Sequence, residues 1–84
     1  MTNETVELVL LNDDVTPFEF AVEALVSIFG KTEDDADMIA SRVHDNGCAV
    51  IGRYSLEIAH QKKAELIKAA KDAGYPLCVV VERL

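Results

Sequence analysis

Basic residues are scarce in this chain of 84 residues, and the shortage narrows the choice of partners. The chain has 8 Lys and Arg residues and 15 Asp and Glu residues, which gives a formal net charge of −7. Nucleic-acid phosphates and anionic membrane surfaces both attract clustered Lys and Arg, so both partner classes are disfavoured. The acidic balance instead fits a partner that presents a positively charged group.

The chain also lacks a long apolar run and a cysteine framework. No stretch reaches membrane-spanning length and no secretory signal is recognisable, which predicts a cytoplasmic protein. Cys48 and Cys78 lie in apolar, strand-like runs. We therefore expect two buried, reduced thiols, with a single disulfide as the less favoured alternative. Because half of the residues are hydrophobic, one domain with one core should fold without metal or disulfide.

The usual signals of catalysis are missing as well. Ser27, Ser41 and Ser55 fall at helical or capping positions, and nothing resembles a nucleophile elbow or a catalytic triad. There is no Gly-rich phosphate loop, and no Cys-x-x-Cys or His-x-x-x-His unit that would hold zinc. The chain is therefore predicted to be a binding protein and not an enzyme, with no cofactor.

Hydrophobic periodicity predicts six elements in the order β-α-α-β-α-β. The predicted strands are residues 6–11, 48–54 and 77–81. The first predicted helix begins at Pro17, and Thr32 and Ser55 are the predicted N-caps of the second and third helices. Since two helices separate the first two strands, we expect an α+β fold, with three helices packed on a small three-stranded, largely antiparallel sheet. Residues 1–5 are expected to form a short tail, and residues 6–84 a single domain.

Each predicted helix carries an apolar stripe that should face the core. The stripe residues are Phe18, Val22, Leu25, Val26 and Phe29, then Ala36, Ile39, Ala40 and Val43, then Ile58, Ala59, Leu66, Ile67 and Ala70.

A polar corner follows the first strand. Asn12, Asp13 and Asp14 cluster where the strand has ended and the next helix has not begun. Thr16, with Glu19 three residues later, matches a capping box. An isolated Asn-Asp-Asp is more often a hydrogen-bonded turn than a binding site, but acceptor oxygens on such a rigid corner suit a small cationic group.

His44 is the second polar candidate. It borders the apolar stripe of the second helix, where a lone histidine is more often packed or solvated than a ligand. A metal site formed by Asp13, Asp14 and His44 is a weak alternative, because the Gly and distal Glu of an EF-hand loop are missing.

Three segments together resemble the ClpS family, the adaptors that deliver N-degron proteins to the Clp protease. They are residues 12–20 (Asn-Asp-Asp-Val-Thr-Pro-Phe-Glu-Phe), 43–47 (Val-His-Asp-Asn-Gly) and 75–77 (Tyr-Pro-Leu). Similarity extends from about Val6 to Glu82 in matching order and spacing.

The resemblance implies a site for a free α-amino group and a bulky hydrophobic first side chain: Phe, Tyr or Trp, with Leu as a weaker candidate. The amine's donors are assigned to Asn12, to His44, and to water or carboxylate oxygen around Asp14. Asp13 is expected to shape the turn or to add negative potential. The implied pocket residues are Thr16, Phe18, Ala21, Ile39, Ala40, Val43 and Leu77.

Two pocket positions depart from the family pattern, since Phe18 and Ala40 stand where relatives usually carry methionine. The resemblance further implies docking on the N-terminal domain of a ClpA-type ATPase through Glu57, Ala59 and Lys62. A monomer is the expected state for a domain of this size and charge. The family's flexible N-terminal extension has only a short counterpart here. The alternative interpretation is an interaction module like the C-terminal domain of the ribosomal stalk, without a pocket for an N-terminal residue.

Overall fold

The computed structural model describes residues 4–84, which form three strands and three helices in the predicted order. The elements are β1 (Thr5–Leu11), α1 (Phe18–Ser27), α2 (Glu33–Asn46), β2 (Cys48–Ser55), α3 (Leu56–Ala73) and β3 (Cys78–Arg83). The predicted α+β class and the β-α-α-β-α-β order are confirmed.

Strand β1 lies at the centre of the sheet, in the order β2-β1-β3, and both pairings are antiparallel. Its alternate residues Val6, Leu8 and Leu10 are buried, because they share one core cluster with residues of all three helices. The register with β2 shifts between Leu8 and Val9. Strand β1 ends at Leu11, directly before the polar corner of Asn12, Asp13 and Asp14.

Local signals define most helix ends. The Thr32 side chain accepts a hydrogen bond from the Asp35 N–H at 3.1 Å, and the Ser55 side chain caps α3 in the same way. Gly47 ends α2 with φ of 90°, a left-handed conformation that favours glycine. The Thr32 and Ser55 caps confirm the predicted starts of α2 and α3.

The first helix begins differently from the prediction. Helix α1 starts at Phe18, and its N-cap is Pro17, which has no side-chain capping bond. The predicted Thr16–Glu19 capping box is therefore wrong. The Thr16 hydroxyl donates instead to the Asp13 carboxylate at 2.7 Å, because a charged acceptor forms the stronger hydrogen bond.

The first strand begins one residue earlier than predicted. Strand β1 begins at Thr5, and the carbonyl of Glu4 accepts a hydrogen bond from the Leu56 N–H at 2.8 Å. Residues 4 and 5 are thus attached to the fold, and the rest of the predicted tail, residues 1–3, lies outside the described residues.

The expectation of buried thiols is also wrong. Cys48 and Cys78 are free and exposed, because both lie opposite Leu11 at the ends of the two outer strands. Two strand spacings separate their Cα atoms by roughly 10 Å, beyond the ~7 Å limit for a disulfide.

Two of the five residues predicted to face inward from α3 are largely exposed. Ile58 and Ile67 are 39% and 40% exposed, whereas Leu66 is 1% exposed. The two isoleucines are displaced by about 100° to opposite sides of the narrow stripe that packs on the sheet. Between residues 4 and 84, no helix is both long and apolar enough to cross a membrane.

Candidate functional site

A cavity of about 290 Å³ opens where β1 ends, beside the start of α1 and the second half of α2. This volume lies just below the range for small-molecule sites, roughly 300–1,000 Å³. The lining residues are Leu10, Leu11, Asn12, Asp13, Asp14, Thr16, Pro17, Phe18, Ala21, Ala40, Val43, His44 and Leu77.

The polar corner is held in shape by Asp13. One carboxylate oxygen, Oδ1, accepts from the backbone N–H groups of Val15 and Thr16 at 2.8 and 2.7 Å, while Oδ2 accepts from the Thr16 hydroxyl. Partial burial raises the pKa of Asp13, but these hydrogen bonds lower it more, so its net pKa is below the ordinary value of 3.8. Asp13 is thus an ionised clamp of the turn.

A backbone hydrogen bond ties this corner to the end of α2. The Asn12 N–H donates to the Gly47 carbonyl at 2.9 Å, and the Gly47 N–H donates to the Val43 carbonyl at 2.9 Å. His44 follows Val43 in the last turn of α2. The hydrogen bond from Asn12 to Gly47 therefore brings Asn12 and His44 to the rim of one cavity, although 32 positions separate them in the sequence.

The apolar walls come from three places. Helix α1 contributes Phe18 and Ala21, helix α2 contributes Ala40 and Val43, and the segment before β3 contributes Leu77. Phe18 is 45% exposed and Ala40 only 3%. Phe18 thus lies at the mouth of the cavity and Ala40 deep in it.

The predicted and observed lining sets differ at a few positions. Ile39 is 8% exposed and belongs to the core cluster, and it does not line the cavity. Sequence reasoning missed Leu10, Leu11 and Pro17, which do line it. These three residues could have been predicted from their position in the sequence, because they lie directly beside the polar corner.

Charge at the cavity has one sign. Asn12, Asp14 and His44 are exposed, and within the described chain the only Lys, Arg, Asp or Glu residues in the lining are Asp13 and Asp14. Acceptors and negative charge at one end, with apolar walls at the other, suit a ligand that combines a cation with a hydrophobic group.

Metal binding finds no support here. Among residues 4–84, no group of three or more His, Cys, Asp and Glu side chains is arranged to hold a metal ion. Asp13 already directs both of its oxygens to the turn.

The predicted docking residues on α3 have three different environments. Glu57 is exposed and Ala59 is 0% exposed. The Lys62 ammonium donates to the Ile28 carbonyl, just past α1, at 2.8 Å. Ala59 is therefore a packing residue, and Lys62 connects two helices.

The fold and the cavity together are those of a small α+β protein whose one described cavity combines a polar rim with apolar walls. A family model described as "ATP-dependent Clp protease adaptor protein ClpS" matches residues 1–80. The chain belongs to the ClpS family. The family description is that of an adaptor, which agrees with the prediction that the chain is not an enzyme.

Similar proteins support this assignment. The ClpS adapter protein of Leptospira biflexa is 49% identical over 71 residues, covering 84% of this chain and 63% of that protein. The chain thus spans less than two thirds of that relative's length. The ClpS adapter protein of Maricaulis maris is 45% identical over 76 residues, covering 90% of this chain and 70% of the relative.

A solved structure confirms the fold. Agrobacterium tumefaciens ClpS2 bound to L-phenylalaninamide matches with a TM-score of 0.94 and 32% identity, over 99% of this chain and 100% of that chain.

Proposed function

We propose that this protein is an adaptor that recognises other proteins by their first residue, binding a free α-amino group together with a bulky aromatic side chain. The observation that carries the proposal is the composition of one cavity, whose rim holds Asn12, Asp14 and His44 and whose walls are apolar. An N-terminal Phe, Tyr or Trp has the same two parts, a cation and a hydrophobic group.

The amine is assigned to the polar rim. An α-ammonium has three donors and is mostly charged at neutral pH, since its pKa is near ~8. The Asn12 side-chain oxygen and a ring nitrogen of neutral His44 accept two of them, and Asp14 accepts the third directly or through water. An acetylated amine loses its charge and donors and leaves rim groups unpaired, so the site should reject it.

The side chain is assigned to the walls formed by Phe18, Ala21, Ala40, Val43 and Leu77. A. tumefaciens ClpS2, which has a similar fold, binds L-phenylalaninamide, a molecule with a free α-amino group and a benzyl side chain. That ligand supports the assignment of an aromatic group to this cavity.

Selectivity follows from the two departures from the family pattern. Phe18 at the mouth presents a flat ring where a methionine would adapt to several shapes, and Ala40 leaves space deep in the cavity. A Leu side chain therefore leaves a void, and Leu-initiated peptides should bind more weakly than Phe-initiated ones. The space beside Ala40 also relaxes the exclusion of β-branched first residues.

Delivery requires a second surface, which we assign to α3. Exposed Glu57 and the outward part of Lys62 form the contact with the N-terminal domain of a ClpA-type ATPase. Ala59 supports this surface from beneath, because its side chain is fully buried. The adaptor is proposed to act as a monomer in the cytoplasm.

Titration with a labelled Phe-initiated peptide and with its N-acetylated twin tests the proposal. Binding of the free peptide alone supports amine-dependent recognition. Equal binding of both peptides, or binding of neither, would contradict it and would direct attention to the α3 surface around Glu57 and Lys62, as in a stalk-type interaction module.

A further inference from the structure

The part of α1 that lines the cavity is not its buried part, since the buried residues of this helix are Ala24 and Leu25 in its second half. The main packing partner of α1 is α2, and α1 carries Phe18 and Ala21 of the cavity lining. Leu77, on another wall, lies in the segment between α3 and β3. A side-chain contact between α1 and this segment would therefore set the distance between two cavity walls.

Phe20 and Tyr75 form such a connection. Their ring centroids are 5.0 Å apart with an interplanar angle of 64°, an edge-to-face arrangement. Phe20 precedes Ala21 directly in α1, and Tyr75 stands two positions before Leu77. Neither ring lines the cavity, so the pair acts on the ligand only through the walls.

The Tyr75 end of the pair is itself anchored. Gly74 ends α3 with φ of 84°, and the Tyr75 N–H donates to the Ala70 carbonyl at 2.8 Å. The backbone that carries the Tyr75 ring is thus fixed to α3, and a side-chain substitution leaves that hydrogen bond in place. Because α3 packs on the sheet, the ring pair links α1 to α3 and, through α3, to the sheet.

We propose that Phe20 and Tyr75 are positioning residues that fix the width of the cavity and thereby set its preference among first side chains. The inference rests on the proposed function. Walls at a fixed separation favour the side chain that fills the space best, since preorganisation adds to affinity. When the walls move, the best-fitting ligand loses most, and a poorly fitting one loses less.

Tyr75→Ala tests this inference against Tyr75→Phe, which keeps the ring. We expect Tyr75→Ala to raise the Kd of a Phe-initiated peptide about three- to tenfold, as the strength of an edge-to-face pair implies. The ratio of Phe-initiated to Leu-initiated affinity should fall toward one. Tyr75→Phe should restore both values, because the Tyr75 hydroxyl has no hydrogen-bond partner in the described residues.

A matched control uses the other aromatic pair of the described chain. The ring centroids of Phe29, just past the end of α1, and Tyr54, in β2, are 6.2 Å apart, and neither residue lines the cavity. Phe29→Ala should lower the melting temperature without changing the Phe-to-Leu ratio. An unchanged Kd and ratio in Tyr75→Ala, or an equal change of the ratio in Phe29→Ala, would overturn the inference.

Hydrogen exchange of the free protein separates this inference from the proposed function. In Tyr75→Ala, the amides of Phe20 and Ala21, which donate to the Pro17 carbonyl, should exchange faster than in the unaltered protein and in Phe29→Ala. Unchanged exchange at these amides contradicts the positioning role whatever the protein binds. If exchange rises but the unaltered protein binds no free-amine peptide, the proposed function and the assigned selectivity fail, and the structural link stands.

Discussion

At the scale of single residues, His44 is the most informative position for the amine site. It lies on the cavity rim in the last turn of α2, and a neutral imidazole can accept a hydrogen bond from an ammonium. His44→Ala should weaken binding of a Phe-initiated peptide by about tenfold or more, the usual effect of losing a hydrogen bond to a charged group. Fluorescence anisotropy measures the change, and His60→Ala, an exposed histidine outside the cavity, is the control.

The pH dependence of binding tests the same residue. Protonation of the His44 ring would remove its acceptor and place a positive charge beside the ligand's ammonium. Affinity should therefore decrease on acidification below neutral pH, where the ligand's amine is already charged, and the decrease should be much smaller in His44→Ala. Identical pH profiles of the two proteins would contradict the assigned role.

Asp13 is a stability determinant on the same rim. Hydrogen bonds depress the pKa of Asp13 in the folded state. The ionised carboxylate therefore stabilises the fold at pH values above its pKa in the unfolded chain, near 3.8, and this stabilisation is lost as the pH falls through the lower pKa of the folded state. Asp13→Asn should cost about 1 kcal/mol at pH 7, since this carboxylate is only partly buried. The difference should shrink below pH 4 in urea titrations. Asp14→Asn is the control. The Asp14 carboxylate accepts no hydrogen bond from the described residues, so this change should alter the free energy of unfolding little at either pH.

At the scale of elements, the Lys62–Ile28 contact joins α3 to the end of α1. The ammonium donates to a carbonyl at a helix C-terminus, where cations are favourable. Lys62→Met should lower the free energy of unfolding by about 1 kcal/mol, which corresponds to roughly 4–8 °C in Tm for a domain of this size.

Two comparisons separate this structural contribution of Lys62 from docking. Lys63→Met removes a neighbouring charge that makes no described hydrogen bond, and it should leave the melting temperature unchanged. Glu57→Gln should weaken binding to the ATPase N-terminal domain without changing the melting temperature. If Lys62→Met is as stable as the unaltered protein, the contact does not support α1.

At the scale of the whole molecule, stability depends on a narrow core. Leu66 is 1% exposed and its neighbour Ile67 is 40% exposed. Leu66→Ala should cost about 3 kcal/mol through lost burial and the cavity left behind, whereas Ile67→Ala should cost less than about 1 kcal/mol. Because the total free energy of unfolding of a small domain is only ~5–15 kcal/mol, Leu66→Ala should lower the urea midpoint strongly. Similar midpoints for the two variants would show that the core is not where the burial pattern places it.

The sequence by itself determined the element order and two of the three helix starts. These follow from local physics: apolar periodicity, and capping by Thr32 and Ser55. The motif around Asn12 and His44 was enough to predict the family, because residue types at fixed spacing survive in the sequence.

Only the tertiary structure decided what depends on contacts between distant segments. The exposure of Cys48 and Cys78 follows from sheet order, and the use of the Thr16 hydroxyl follows from competition between Asp13 and the helix terminus. The Phe20–Tyr75 and Lys62–Ile28 contacts join segments 55 and 34 positions apart. Periodicity indicates which side of an element is apolar, but it contains no information about which neighbour covers that side, because the packing of the whole chain selects the neighbour.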